Sequence, residues 1–314
     1  MKLIARLVAV AAVIAPGAAA AADPCLGVRQ PVIDVHLHAY DRDPRFELHV
    51  PNPRTGQPSQ AHDAESHRAL TLAELKRYGV VRGIVSNELA DSERMVAADP
   101  QRLRLGYGVE TLPTPQMLAE IRSLHAQGRL AWIGEVAPQY NGIAPNDPGL
   151  EPLWALAEEL DLPVGYHLGR GPPDIVYMGR PKHRAALGDP MLLEDVLVRH
   201  PKLRLVVLHG GFPFGDNMAA LMGAYPRVYI DLGAIDWAED RGAFDAYLKR
   251  LVEAGFGKRI LFGSDQMVWP EAIGQSIEAF QQAAFLTPQQ KRDILFDNAV
   301  RFFGWKDLEA CGRP

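Results

Sequence analysis

The chain has little cysteine, few aromatics, no block of like charge and no long apolar run. Two cysteines in 314 residues exclude a disulfide-dense scaffold or a multi-cysteine metal module. Aromatic residues make up 8%, and no low-complexity stretch interrupts the chain. The net charge of −5 arises from interspersed acids and bases, so nothing marks an electrostatic footprint for nucleic acid. The longest apolar run, Leu7 to Ala15, is far short of the roughly 20 residues that span a bilayer.

What is present is enough apolar material, 47% of residues, for a full core, and one large domain over residues 23–314 accounts for it. Residues 1–22 read as a secretory signal: Lys2 and Arg6 form the charged start, Leu7–Ala15 the apolar run and Ala18–Ala22 a small-residue cleavage zone. The expectation is an exported protein, periplasmic or secreted, that begins near Asp23 and keeps no membrane contact after cleavage. The alternative is a retained membrane anchor. Export would permit a disulfide between Cys25 and Cys311, against the alternative of two free thiols in the chain ends.

After the signal, short β-branched strands alternate with amphipathic stretches, a pattern that favours a parallel sheet with crossover helices. Strands are expected near Val32–His38, Val81–Asn87, Leu103–Glu110, Ala131–Ala137, Leu162–Leu168, Leu203–Gly210, Arg227–Leu232 and Arg259–Asp265. Helices are expected at Pro115–Ala126, Leu150–Leu160, Pro190–Arg199 and Ala243–Ala254, each with apolar spacings of three and four. Eight such units match an α/β fold of the (β/α)8 TIM-barrel type, usually about 250 residues long. An open doubly wound sheet would gather its polar residues at one switch point, whereas here they recur at strand ends along the whole chain. Two long loops, Ala39 to about Ser66 and Gly169 to about Asp189, would overhang the barrel mouth and shape specificity.

The first strand reads Asp34-Val35-His36-Leu37-His38. Strict alternation puts Asp34, His36 and His38 inside the barrel and Ile33, Val35 and Leu37 against the helices. Two imidazoles about 7 Å apart along one strand can converge on one ion. Strand ends deliver further polar groups: His167 above Gly165, His209 before Gly210-Gly211, and Asp265 after Gly263-Ser264.

Together with a closing segment, Ile294 to Gly304, these motifs resemble the amidohydrolase superfamily, in its amidohydrolase-related branch (amidohydrolase family 2), over Val32 to Trp305. The resemblance implies a metal held by His36, His38, His167 and Asp265, with His209 and Asp265 catalytic. It implies one divalent ion, Zn²⁺ preferred and Mn²⁺ or another ion as alternatives, that would lower the pKa of water toward about 7. Binuclear relatives carry a carboxylated lysine on the fourth strand; Glu135 stands in that region here, so a single ion is expected, with Asp34, Glu135 and Asp231 supporting it. Arg170, Arg180, Lys182, His183 and Arg184 in the fifth loop suit capture of a carboxylate, and hence an acidic substrate; the alternative is solvated surface charge. His49, His62 and His67 receive no role. Three functions stay open: a metal-dependent hydrolase of a lactone, ester or amide, a non-oxidative decarboxylase of a small acid, and a non-catalytic binding barrel. Export favours the first. The partner expected is a small-molecule substrate, and a homodimer is common among the proteins it resembles.

Overall fold

The computed structural model describes residues 23–312, so the expected signal segment lies outside the described residues. Seven strands pair in parallel and in chain order: β1 (Val32–His38), β2 (Val80–Ser86), β3 (Leu103–Val109), β4 (Leu130–Val136), β5 (Val164–His167), β6 (Leu205–Leu208) and β7 (Val228–Ile230). The expected eighth strand is not a regular strand. Its residues nevertheless close the sheet between β7 and β1: Leu261 N–H donates to the Ile230 carbonyl (2.8 Å), Val35 N–H to that of Phe262 (2.9 Å) and Asp265 N–H to that of His36 (2.8 Å). The ladder breaks for a local reason. At Ser264 the backbone N–H donates to the Asp34 carboxylate at 3.0 Å instead of to a strand carbonyl, and Asp265 takes a left-handed φ of 47°, outside the extended region. The result is a (β/α)8 barrel.

The connecting helices start where the sequence supplies caps. Thr114 accepts from the Met117 N–H ahead of Pro115–Ala126, with proline in the first turn, and Asp63 and Ser66 cap Ala64–Arg77 reciprocally. The expected Pro190–Arg199 helix divides into a 3₁₀ turn, Pro190–Leu193, and an α-helix, Glu194–Arg199. The closing segment ends at Gly304, φ 68°, the left-handed stop that glycine accepts most readily.

β1, β2 and β4 each carry an extra residue against a neighbouring strand, and those in β1 and β4 bear on the site. In β1, Asp34 to Leu37 spans three steps where β2 spans two, Gly83 to Val85. This bulge corrects the expected facing: Ile33 and Val35 pack with Trp132, Val206, Leu208 and Leu261, while Leu37 joins the larger cluster with Leu75, Val80 and Val85. In β4, Ile133 to Val136 likewise opposes only Val164 to Tyr166. Ile133 and Val136 both face the larger cluster, so the extra residue turns Glu135 inward. Below it, the Trp132 ring fills the barrel against Gly106, Gly134 and Gly165, where a Cβ would come within 2.6–2.8 Å of the ring. A disulfide joins Cys25 to Cys311 and ties the described ends together.

Candidate active site

The strand ends bring six titratable side chains into one buried cluster. Glu135 lies at its centre, and its two carboxylate oxygens face different partners. Oε2 is 3.5 Å from His38 Nε2 and 3.8 Å from His36 Nε2. Asp265 Oδ1 completes that side, 3.0 Å from His38 Nε2 and 3.8 Å from His36 Nε2. Oε1 is 2.7 Å from His167 Nδ1 and 3.5 Å from His209 Nε2, and those two nitrogens are 2.9 Å apart.

The imidazoles are fixed from behind. His36 Nδ1 lies 2.8 Å from Asp231 Oδ2, while Asp231 Oδ1 accepts the His209 N–H at 2.8 Å. His38 Nδ1 donates to the Ser86 carbonyl at 3.0 Å and His209 Nδ1 to the Gly233 carbonyl at 2.9 Å, so each Nε2 keeps its lone pair. Gln266 clamps the end of β1, accepting the His38 N–H at 3.0 Å and donating to its carbonyl at 2.7 Å. Asp34 points to the Ser264 and His36 N–H groups, where it braces the backbone.

Electrostatics follow from this packing. Burial disfavours the charged form of every member, yet opposite charges outweigh it at several. Asp265 and Asp231 hold His36 well above its ordinary pKa, and hydrogen bonds from His167, His209 and His36 hold Glu135 well below the usual carboxylate range. Asp265 is also lowered, by His36 and His38. At Asp34 burial outweighs the hydrogen bonds from Ser264 and His36 and pushes it up to about 7. Nε2 of His36 is buried without a partner, aimed at Glu135 and Asp265. A divalent cation, which would displace the ring proton of His36, fits this donor set of imidazole nitrogens and carboxylate oxygens.

The fifth loop does not present its cations as expected. Arg170 pairs with Glu239, Arg180 makes a two-pronged pair with Glu110 at 2.8 and 3.2 Å, and Arg184 donates to the Pro181 and His183 carbonyls. Lys182 makes no ion pair among the described residues. The Arg170 and Arg180 guanidinium groups are thus already bound to carboxylates, while Lys182 and Arg184 carry no carboxylate partner among the described residues. His67 is buried, with Nε2 donating to the Met267 carbonyl at 2.7 Å, and the side chain of His62 is largely exposed.

Sequence reasoning missed three neighbours. Tyr40 stacks on His38 (centroids 5.8 Å apart) and Tyr140 lies 4.7 Å from the His167 ring; Gln266 is the third. Tyr40 was legible, two residues beyond His38 on the same period. Tyr140 was not, because it sits on a 3₁₀ turn, Pro138–Asn141, which has no strand period to read.

A barrel whose strand ends gather four histidines, an aspartate and a glutamate matches the family model described as Amidohydrolase, over residues 33–305. The chain belongs to the amidohydrolase family. A curated relative, protein fluG of Emericella nidulans, is 26% identical over 142 residues, 44% of this chain and 16% of that protein. Solved structures of the same fold cover far more. An uncharacterised TIM-barrel protein from Bordetella bronchiseptica aligns with a TM-score of 0.64 at 19% identity, over 87% of this chain and 98% of that one. A probable 2-pyrone-4,6-dicarboxylic acid hydrolase from Acinetobacter baumannii gives 0.60 at 17%, covering 87% and 99%. A 5-carboxyvanillate decarboxylase from Sphingomonas paucimobilis gives 0.54 at 17%, covering 88% and 99%. At these identities the structural likenesses show the fold, and that fold holds both hydrolases and decarboxylases.

Proposed function

We propose that this amidohydrolase is a metal-dependent hydrolase that cleaves a C–O or C–N bond of a small lactone, ester or amide. The observation that carries the reading is the Glu135-centred cluster: an ionised carboxylate, Asp265, stands 3.0 Å from His38 Nε2 beside a buried nitrogen set that fits a cation. His36, His38, Asp265 and Glu135 Oε2 would hold one ion. Glu135 Oε1, His167 and His209 form a second donor set, which supports a further ion position where the sequence argued for one ion with His167 among its ligands. A bound divalent ion would supply Lewis-acid polarisation and acidify water. Asp265 takes the proton of the attacking water, since its lowered pKa keeps it ionised near neutrality. With one ion bound, His209 is free of metal, and its raised pKa favours the protonated ring, whose Nε2–H faces the cluster and steadies the carbonyl oxygen as charge develops. The buried walls restrict bulk water.

Decarboxylation of a small acid is the second reading, favoured by the fold shared with the Sphingomonas enzyme. It needs a grip on the substrate carboxylate, and the internal pairing of Arg170 and Arg180 argues against one from the fifth loop. A panel of lactones, esters, amides and aromatic acids, followed by mass spectrometry in ¹⁸O-water with CO₂ detection, separates the two. Label in the product without CO₂ supports hydrolysis; CO₂ without label overturns it.

A further inference from the structure

We propose that the fifth loop is a salt-sensitive lid in which Arg180, latched by Glu110, presses Tyr140 onto His167. The loop has a fixed neck. Gly188 packs so tightly on the Gly169 backbone that a Cβ would lie 1.9 Å from its carbonyl oxygen. Gln139 Nε2 bridges the Gly169 and Arg184 carbonyls at 2.7 and 3.2 Å, and Asn217 holds Asp189 at 2.8–2.9 Å.

Beyond the neck, the body of the loop is tied down differently. Tyr177 and Met178 are 87% and 68% exposed, so apolar burial does not anchor the tip. The Lys182 carbonyl rests against Gly142. Besides His183, buried against Tyr140, the remaining ties are charged: Arg170 to Glu239, and the Arg180–Glu110 pair, whose side chains are 37% and 50% exposed. Surface pairs of this kind are individually weak and are screened by salt, so the body can lift while the neck stays in place.

Lifting it would uncover the site. The Arg180 guanidinium lies 5.3 Å from the Tyr140 ring centroid. Tyr140 lies in turn 4.7 Å from His167 and 5.7 Å from His183. His167 is 3% exposed, and its Nε2 is buried without a partner. Released from Arg180, the tyrosine ring loses one of the two loop groups, Arg180 and His183, that pack it down over a ligand histidine. Arg180 and Glu110 are thus positioning residues that act through Tyr140. The inference rests on the reading that the His167 cluster is the functional site, and its test requires neither metal nor turnover.

The test is carbethoxylation by diethyl pyrocarbonate of the full chain, after dialysis against a chelator so that bound ions do not shield the rings. Peptide mass spectrometry reads the rate at His167 relative to the exposed His62. Wild type, Glu110→Gln and the swap Glu110→Arg with Arg180→Glu are compared at low and high NaCl. The expected result is a His167 rate about threefold to fivefold higher in Glu110→Gln at low salt, the scale of one surface pair. Salt should raise the wild-type rate toward the variant, and the swap should restore protection. Arg122→Gln, which breaks an exposed pair with Glu159, should change nothing. Equal His167 rates in wild type and Glu110→Gln would overturn the lid. So would a rise in Arg122→Gln of the same size, which would mark general loosening. If the chain takes up no metal, the metal-enzyme reading fails while the His167 rates still decide the lid.

Discussion

Each residue at the centre of the barrel is set by a neighbour. Asp231 holds His36 through Nδ1 and the His209 backbone through its other oxygen. Replacing Asp231 by Asn removes the charge that fixes the His36 ring, and metal affinity should fall about 10- to 100-fold, measured by competition with a chromophoric chelator; unchanged affinity would remove Asp231 from the account. His67 gives a pH prediction. Burial lowers its pKa to about 4, against about 6.5 in the unfolded chain. Between those values only the unfolded chain takes up the proton, so this contribution is present above pH 6.5 and is lost as pH falls toward 4. His67→Gln should flatten the decline in stability over that window by on the order of 2–3 kcal/mol, read from denaturant midpoints at stepped pH. The sequence named His36, His38, His209 and Asp265 by motif and period. It could not show that Arg170 and Arg180 are already paired, because Glu110 and Glu239 reach them only through the fold.

Among the elements, β1 and β4 matter most, since a bulge in each aims the side chains. Period-two reading located both strands to within a residue at either end, yet misassigned the facing of Ile33 and Val35 and gave no reason for Glu135 to turn inward. An extra residue in a parallel ladder depends on the partner strand's register, and one strand's own sequence does not carry that. The eighth strand was found as an apolar run and lost as a ladder for the same reason, since the acceptor is the Asp34 side chain on the neighbouring β1. Trp132 tests the packing beneath β4. Three glycines clear space for its ring, and Nε1 donates to Ser86 Oγ at 3.0 Å. Trp132→Ala should cost about 3–5 kcal/mol and loosen Glu135 above it, so stability and metal affinity should fall together. A stable variant with full affinity would show that the indole does not support the site.

For the molecule as a whole, the fold class followed from the alternation of strand and helix signals, and closure followed from polar residues at so many strand ends. The disulfide adds a constraint between two ends 286 residues apart in sequence. Limiting so long a loop stabilises by about 2–5 kcal/mol in the chain-entropy account. Cys25→Ser with Cys311→Ser should therefore lower the melting temperature by several degrees while metal content is kept, because neither cysteine is near the cluster. Calorimetry under oxidising conditions checks this.

The central claim is that the Glu135 cluster is a metal centre. Elemental analysis of the protein purified without added metal, beside a His36→Ala, His38→Ala variant that stays folded by circular dichroism, tests it most directly. The account predicts bound divalent metal in the wild type, lost or sharply reduced in the variant, with about two ions per chain if Glu135 bridges both donor sets. A wild type that holds no metal, even after reconstitution with Zn²⁺ or Mn²⁺, would contradict it.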